Sequence, residues 1–204
     1  MVAGGDRRAT GDEQVAGLVL AAGGGSRFGA PPKQLADLGG RPLLEWSVRA
    51  QCAVPELSRV IVVLGAHAEQ VAAGVEFGRA ETVVCPDWAS GQAASLRRGL
   101  AALPEVVSKV IVTLGDAPLV TSAVIARFVW EPPRTRATYG GRPGHPVVLG
   151  REEITSLMSL SGDRGARDLL RGGPVMEVGH LCSGRDVDTP DDLEEIRDEA
   201  RAVI

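Results

Sequence analysis

The residues able to do chemistry concentrate around Leu18 to Leu35, LVLAAGGGSRFGAPPKQL, where an apolar run meets three consecutive glycines, then Arg27, two prolines and Lys33. Glycines let backbone N–H groups turn toward an anion with no side chain in the way. Arg27 and Lys33 add mobile positive charge, which suits a polyphosphate. Taken alone, Gly23 to Gly25 would serve equally well as a tight turn. The two cations and the preceding strand-like run favour phosphate, because ligands of open parallel sheets bind beyond the carboxyl ends of the strands. The expected nucleotide contacts are Leu20, Ala21, Ala22, Gly23, Gly24, Gly25, Ser26, Arg27 and Lys33. Ala21 and Ala22 would offer backbone groups and no bulk to a base edge.

Carboxylates follow at places that suit a cation. Asp116 closes the apolar run 110–114, just after Gly115, which joins the expected nucleotide set. Asp188 lies in DVDTP, between a short extended segment and the last helix, and Asp186 shares its face if the segment is extended. Magnesium takes one or two carboxylates plus phosphate oxygens and water, so such a pair suffices. Asp116 before Pro118 is also a natural turn former, and Asp188 a natural helix-start residue. The stretch SGQAAS opens a helix, placing Gly91, Gln92 and Ser95 where they could meet base, ribose or acceptor; Ser95 is equally a helix-face hydroxyl. His145 in RPGHP, with Asp163, Arg164 and Arg167 in SGDRGARDLL, are candidates for the acceptor side, since guanidinium pairs well with phosphate. His67 and His180 have no partner motif.

Several functions are excluded by pattern. A dinucleotide fingerprint needs G-x-G-x-x-G opening a helix and an acid ending the next strand; here the third glycine comes one residue late and the second strand ends in Leu64-Gly65. A P-loop needs Lys and Ser/Thr directly after its last glycine, and Gly29 is followed by APPK. A net charge of −4 with seven aromatic residues argues against a nucleic-acid surface. Three widely spaced cysteines with no CxxC pair suggest neither a disulfide framework nor a thiolate zinc site, and fit a reducing cytoplasm. No window is apolar enough for a membrane span, and residues 1–14 lack the apolar run of a signal peptide. There is no obvious Ser/His/Asp arrangement.

These residues need a scaffold, and the chain spells one. Apolar runs at 15–21, 59–65, 82–85 and 109–115 are short, rich in β-branched residues and bounded by glycine or proline. Helical spacing fills 42–52, 67–75, 91–103 and 121–130. Alternation of this kind predicts an α/β fold of three layers, a mostly parallel, Rossmann-like sheet between helices. From Arg136 the pattern changes to an antiparallel excursion, with Gly140-Gly141 and Pro143-Gly144 as turn signals. Two helical stretches, a strand at 175–179, a short strand around 185–188 and a final helix from Pro190, capped by Thr189, complete it. The expected organisation is a mobile tail over 1–14 and one domain over 15–204.

Taken together the motifs resemble the MobA-like nucleotidyltransferases, whose signature runs approximately L-A-[AG]-G-x-S-x-R-M-G-x-x-K. PDWASGQAASLRRGL, LGDAPLV, RPGHPVVL, SGDRGARDLL and DVDTPDDL follow the loop in the family's order, from residue 15 to about 195. Ala21-Ala22 is similar to the molybdopterin cytidylyltransferase branch, where the guanylyltransferase branch usually has Ala-Gly. Departures are Phe28 for methionine, Ala117 for glutamine, Gly25 before the serine, and one extra residue before Lys33. The resemblance implies a nucleotide-diphospho-sugar-transferase-like fold and transfer of CMP from CTP to a phosphorylated pterin, with Mg2+ on Asp116 and Asp188. It further implies catalytic roles for Arg27, Lys33 and Asp116, and a recipient molybdoenzyme as partner. The alternatives are GTP or another phosphorylated acceptor, or a non-catalytic protein that delivers cofactor to a molybdoenzyme.

Overall fold

The computed structural model describes residues 14–159 and 170–203. Asp163, Arg164, Arg167 and the second of the two helical stretches up to residue 169 therefore lie outside the described residues. In chain order the elements are β1 (Gln14–Ala21), β2 (Asp37–Leu38), β3 (Arg41–Pro42), α1 (Leu43–Cys52), β4 (Leu57–Leu64), α2 (Ala68–Gly74), β5 (Glu81–Val84), α3 (Gln92–Ala101), β6 (Val107–Leu114), α4 (Ser122–Val129), β7 (Arg136–Tyr139), β8 (Arg142–Gly150), α5 (Arg151–Ser159), β9 (Val175–Glu177) and α6 (Pro190–Val203). Seven strands form one sheet in the order β5-β4-β1-β6-β8-β7-β9, and β8 alone runs against its neighbours. This is the mostly parallel α/β sheet that the sequence predicts.

The continuous apolar runs explain the arrangement. β1 is buried from Val15 to Ala21 on both of its faces, as a central parallel strand covered by helices must be. Leu18 and Leu20 pack with Leu96, Leu100 and Leu157, from α3 and α5. On the opposite face Val19 packs with Leu44, Val48 and Val71, from α1 and α2. Phe128 of α4 and Ile196 of α6 extend that second layer. The parallel strands β1, β4 and β6 therefore end together at one sheet edge, at Ala21, Leu64 and Leu114.

The structure corrects several boundaries. Gln14, assigned to the tail, opens β1, and the hairpin of two-residue strands β2 and β3 is too short for any periodicity to show. The expected strand around 185–188 is absent; Val187 N–H donates to Asp116 O at 2.8 Å and fixes the segment beside the end of β6 without a ladder. Thr189 does cap α6, in a reciprocal box: Asp192 N–H donates to Thr189 Oγ1 at 3.2 Å, and Thr189 N–H to Asp192 Oδ2 at 2.8 Å. Cys52, Cys85 and Cys182 are free thiols, and no helix among the described residues is long and apolar enough to cross a membrane.

Gly140 and Gly141, at φ 58° and 78°, supply the left-handed pair that a two-residue hairpin between β7 and β8 requires. The exposed Glu177 carboxylate secures this hairpin. It accepts N–H bonds from Gly140 at 3.0 Å, Gly141 at 3.1 Å and Gly179 at 2.9 Å, and the Thr138 hydroxyl at 2.9 Å. These donors hold its pKa down at about 2. A carboxyl with a depressed folded-state pKa stabilises above its unfolded value and loses that contribution as pH falls through the folded one. Glu177→Gln should therefore melt below wild type at neutral pH. Thermal scans should show the gap narrowing as pH drops from 4.5 toward about 2.

Candidate active site

The glycine loop begins where β1 ends, and the four carbonyls from Leu20 to Gly23 are all taken up. Gly115 N–H donates to Leu20 O at 2.9 Å, and Ala66 N–H to Ala22 O at 3.0 Å. The carboxamide of Gln34 takes the other two, with Nε2 3.1 Å from Ala21 O and 2.8 Å from Gly23 O. By contrast, the N–H groups of Gly23, Gly24, Gly25, Ser26 and Arg27 donate to no acceptor among the described residues. A run of unpaired amides at a strand end is an anion cradle. Gly25 needs its freedom here: φ is 58°, and a Cβ would sit 3.1 Å from the Lys33 stem, which passes beneath it.

Lys33 comes from a single 3-10 turn, Lys33–Leu35, that follows the two prolines. Its ammonium donates to Asp116 Oδ2 at 2.6 Å, Asp188 Oδ1 at 3.1 Å and Val187 O at 3.1 Å, with the side chain 9% exposed. Burial alone would pull this amine down, but the charges and hydrogen bonds of Asp116 and Asp188 outweigh it and hold it above its ordinary value. Arg27, exposed at the loop tip, reaches the other oxygen of Asp188 at 2.7 Å. Asp186, on the wall of the adjoining cleft, has its carboxyl raised to about 6 by lost hydration and by the charges of Asp116 and Asp188. Three carboxylates thus face two cations.

Among the described residues no group of three or more His, Cys, Asp or Glu side chains is arranged as a metal cluster. A divalent metal that shares its shell with phosphate and water does not need one. Two carboxylate oxygens and the Val187 carbonyl already converge on one cationic group, an all-oxygen set of the hard kind that magnesium or manganese takes. The residues fit such an ion, with Asp116 and Asp188 as its carboxylates.

Next to this group opens a cleft of about 1380 Å³, bounded by Leu20, Gln92, His145 and Asp186. Gln92, the first residue of α3, lines the cleft, and Gly91 immediately precedes it. Ser95 is buried, with its side chain hydrogen-bonded to the Cys85 thiol, and does not line the cleft. His145 is half-buried on β8, its carbonyl taken by the Tyr139 hydroxyl. Burial lowers its imidazole to about 4 despite the opposing pull of Asp116, so it is neutral near pH 7. Two residues escaped the sequence reading. Gln34 stands at the end of the LVLAAGGGSRFGAPPKQL stretch with no role assigned to it, and Trp88 packs its ring against Gly24, where a Cβ would come within 3.2 Å. Neither carries a motif; a polar side chain just after the loop was the available signal for Gln34.

Residues 17–180 match the MobA-like NTP transferase domain. The chain belongs to that family. Over 196 residues it is 33% identical to nicotine blue oxidoreductase of Paenarthrobacter nicotinovorans, covering 88% of this chain and 94% of that protein. It is 36% identical over 158 residues to 2-C-methyl-D-erythritol 4-phosphate cytidylyltransferase of Thermobifida fusca, covering 71% of this chain and 63% of that protein. The crystal structure of Rv0371c from Mycobacterium tuberculosis superposes with a TM-score of 0.79 at 31% identity, over 92% of this chain and all but 1% of the other, which it covers to 99%. The same protein complexed with manganese gives 0.75 at 31%, over 91% of this chain and 98% of that one. Membership of the family makes this a nucleotidyltransferase fold, a class that commonly uses divalent metals.

Gln34→Met keeps the side chain's bulk and removes both loop hydrogen bonds. The expected cost is about 1–3 kcal/mol of stability from two stranded carbonyls. Affinity for a nucleoside triphosphate should fall as well, because the amides lose their fixed direction. Urea unfolding and nucleotide titration measure the two; unchanged affinity would reduce Gln34 to a packing role.

Proposed function

We propose that the protein transfers CMP from CTP to the phosphate of molybdopterin and releases pyrophosphate, giving molybdopterin cytosine dinucleotide. The observation that carries the transferase reading is the loop whose carbonyls are consumed and whose amides are open, set beside Lys33, Asp116 and Asp188. Support for CTP comes from the Ala21-Ala22 pair and from a cytidylyltransferase among the relatives. Support for the pterin comes from the order of motifs. The alternatives remain GTP with the same acceptor, or CTP with a different phosphorylated one.

In this reading the acceptor phosphate attacks the α-phosphorus in line, a new P–O bond forms, the Pα–O bond to the β-phosphate breaks, and pyrophosphate leaves with that electron pair. A phosphate nucleophile is already ionised near pH 7, so no side chain has to take a proton. The work left to the protein is positioning and charge. The amides of Gly23 to Arg27, with the Arg27 guanidinium, bind the β- and γ-phosphates. Lys33 meets charge on the transferring group, and Gln92 with the Ala21-Ala22 edge orients the nucleoside. Mg2+ on Asp116 and Asp188 supplies neutralisation of the α-phosphate when bound.

A second reading follows from the relative named as an oxidoreductase, which stands against excluding dinucleotide cofactors on glycine spacing alone. The same open amides would hold the pyrophosphate of a nicotinamide dinucleotide, although β4 ends in Leu64 with no acid to grip a ribose.

Pyrophosphate release measured with CTP, GTP, ATP and UTP, each with Mg2+ and molybdopterin, tests the first reading. CTP-selective release that falls about 10²–10³-fold in Asp116→Ala is expected. Release with no nucleotide, together with oxidation of NADH or NADPH, would install the second.

A further inference from the structure

The wall of the cleft formed by β7 and β8 carries two arginines with nothing to hold. Arg136 opens β7 opposite Val147, is half-buried, and its Nε is shut away from water without a hydrogen-bond partner. Arg142 starts β8 beyond the hairpin turn and is exposed. Neither guanidinium has an ion pair or side-chain hydrogen bond among the described residues. Arg136 lines the cleft, so the outward part of its guanidinium, with no partner of its own, can meet the oxygens of a ligand. Between this wall and α3 the cleft floor is apolar: Leu96, Val112, Val147, Leu149 and Leu157 line it.

The register fixes where Arg136 stands relative to the reacting end. Arg136 pairs with Val147, and Val147 with Val112 of β6. Arg136 is therefore two strands from β6, about 10 Å at the usual spacing, and level with a residue about 7 Å short of the strand end. Asp116 and His145 stand at that end. A ligand with its phosphate at Asp116 and a body of two or three rings across the apolar floor would bring its far edge to Arg136. A guanidinium fork matches two oxygens, or an oxygen and a ring nitrogen, lying in one plane.

We propose that Arg136 is the acceptor-specificity residue of this cleft: it receives the planar, oxygen-bearing edge of an acceptor at the end remote from its reacting phosphate. The inference rests on the transferase reading for the role of the cleft, and goes beyond it by assigning the acceptor's shape and its anchoring side chain. The edge is either a carboxylate or a ring lactam. In both cases the body between edge and phosphate is flat, apolar on its faces and about 12 Å long or more.

The test needs no catalysis. Two flat two-ring probes, neutral pterin with its lactam and 2-naphthoate with its carboxylate, are titrated into the full chain by fluorescence, with and without CTP. Saturable binding of at least one, millimolar or tighter, is expected, weakened about tenfold or more in Arg136→Met and unaffected by CTP. Arg136→Lys, which keeps the charge and loses the fork, should recover the naphthoate better than the pterin. Pterin alone binding identifies a lactam edge, and naphthoate alone an anionic one. No saturable binding of either, equal binding to a folded Arg136→Met, or displacement by CTP would overturn the proposal. Arg136-dependent binding combined with a failed pyrophosphate assay would overturn the transferase reading, and with it the acceptor role, and leave Arg136 as the anchor of a flat ligand in this cleft.

Discussion

The ammonium of Lys33 joins three segments far apart in sequence: the turn after the glycine loop, the end of β6 at Asp116, and the stretch Val187-Asp188 before α6. The first supplies the charge, the second one oxygen and the third two. With so little of the side chain exposed, the amine could not stay charged without them, and the carboxylates would repel one another without it. Charge therefore sets where the loop sits over the sheet edge. Packing could not do this alone, because the loop from Gly23 to Gly29 has few side chains to pack.

Backbone accounting completes the arrangement. Leu20, Ala21, Ala22 and Gly23 have their carbonyls taken by Gly115, Gln34 and Ala66, so the loop's polarity is sorted, acceptors inward and donors outward. The start of α6 is sorted in the opposite sense. Asp192 takes the N–H groups of Asp188 and Thr189, which leaves the Asp188 side chain to face Lys33 and Arg27. Two helix and strand ends thus present cation-seeking oxygens and anion-seeking amides within one small region. A metal triphosphate carries both kinds of charge, and the antiparallel β7–β8 hairpin walls the cleft beside it.

Much of this was legible in the chain because it depends on short-range pattern. β1, β4 and β6 are built on apolar runs, and each is a mostly buried strand within two residues of its expected bounds. Arg27, Lys33, Asp116 and Asp188 were singled out by type and place, and the fold brings all four together. What was not legible depends on tertiary approach. Gln34 acts on carbonyls 11 and 13 residues away, a relation no periodicity encodes. Arg136 is one arginine among many until the β7–β8–β6 register places it over an apolar floor. Ser95, equally a helix-face hydroxyl by its spacing, lies buried against Cys85.

The most direct measurement is a crystal structure of the protein with CTP and Mn2+, read by the anomalous signal of the metal. The account predicts one manganese peak bound by carboxylate oxygens of Asp116 and Asp188, with triphosphate oxygens on the amides of Gly23 to Arg27. Manganese bound elsewhere, or a triphosphate lying away from those amides while Lys33 stays on both aspartates, would contradict it.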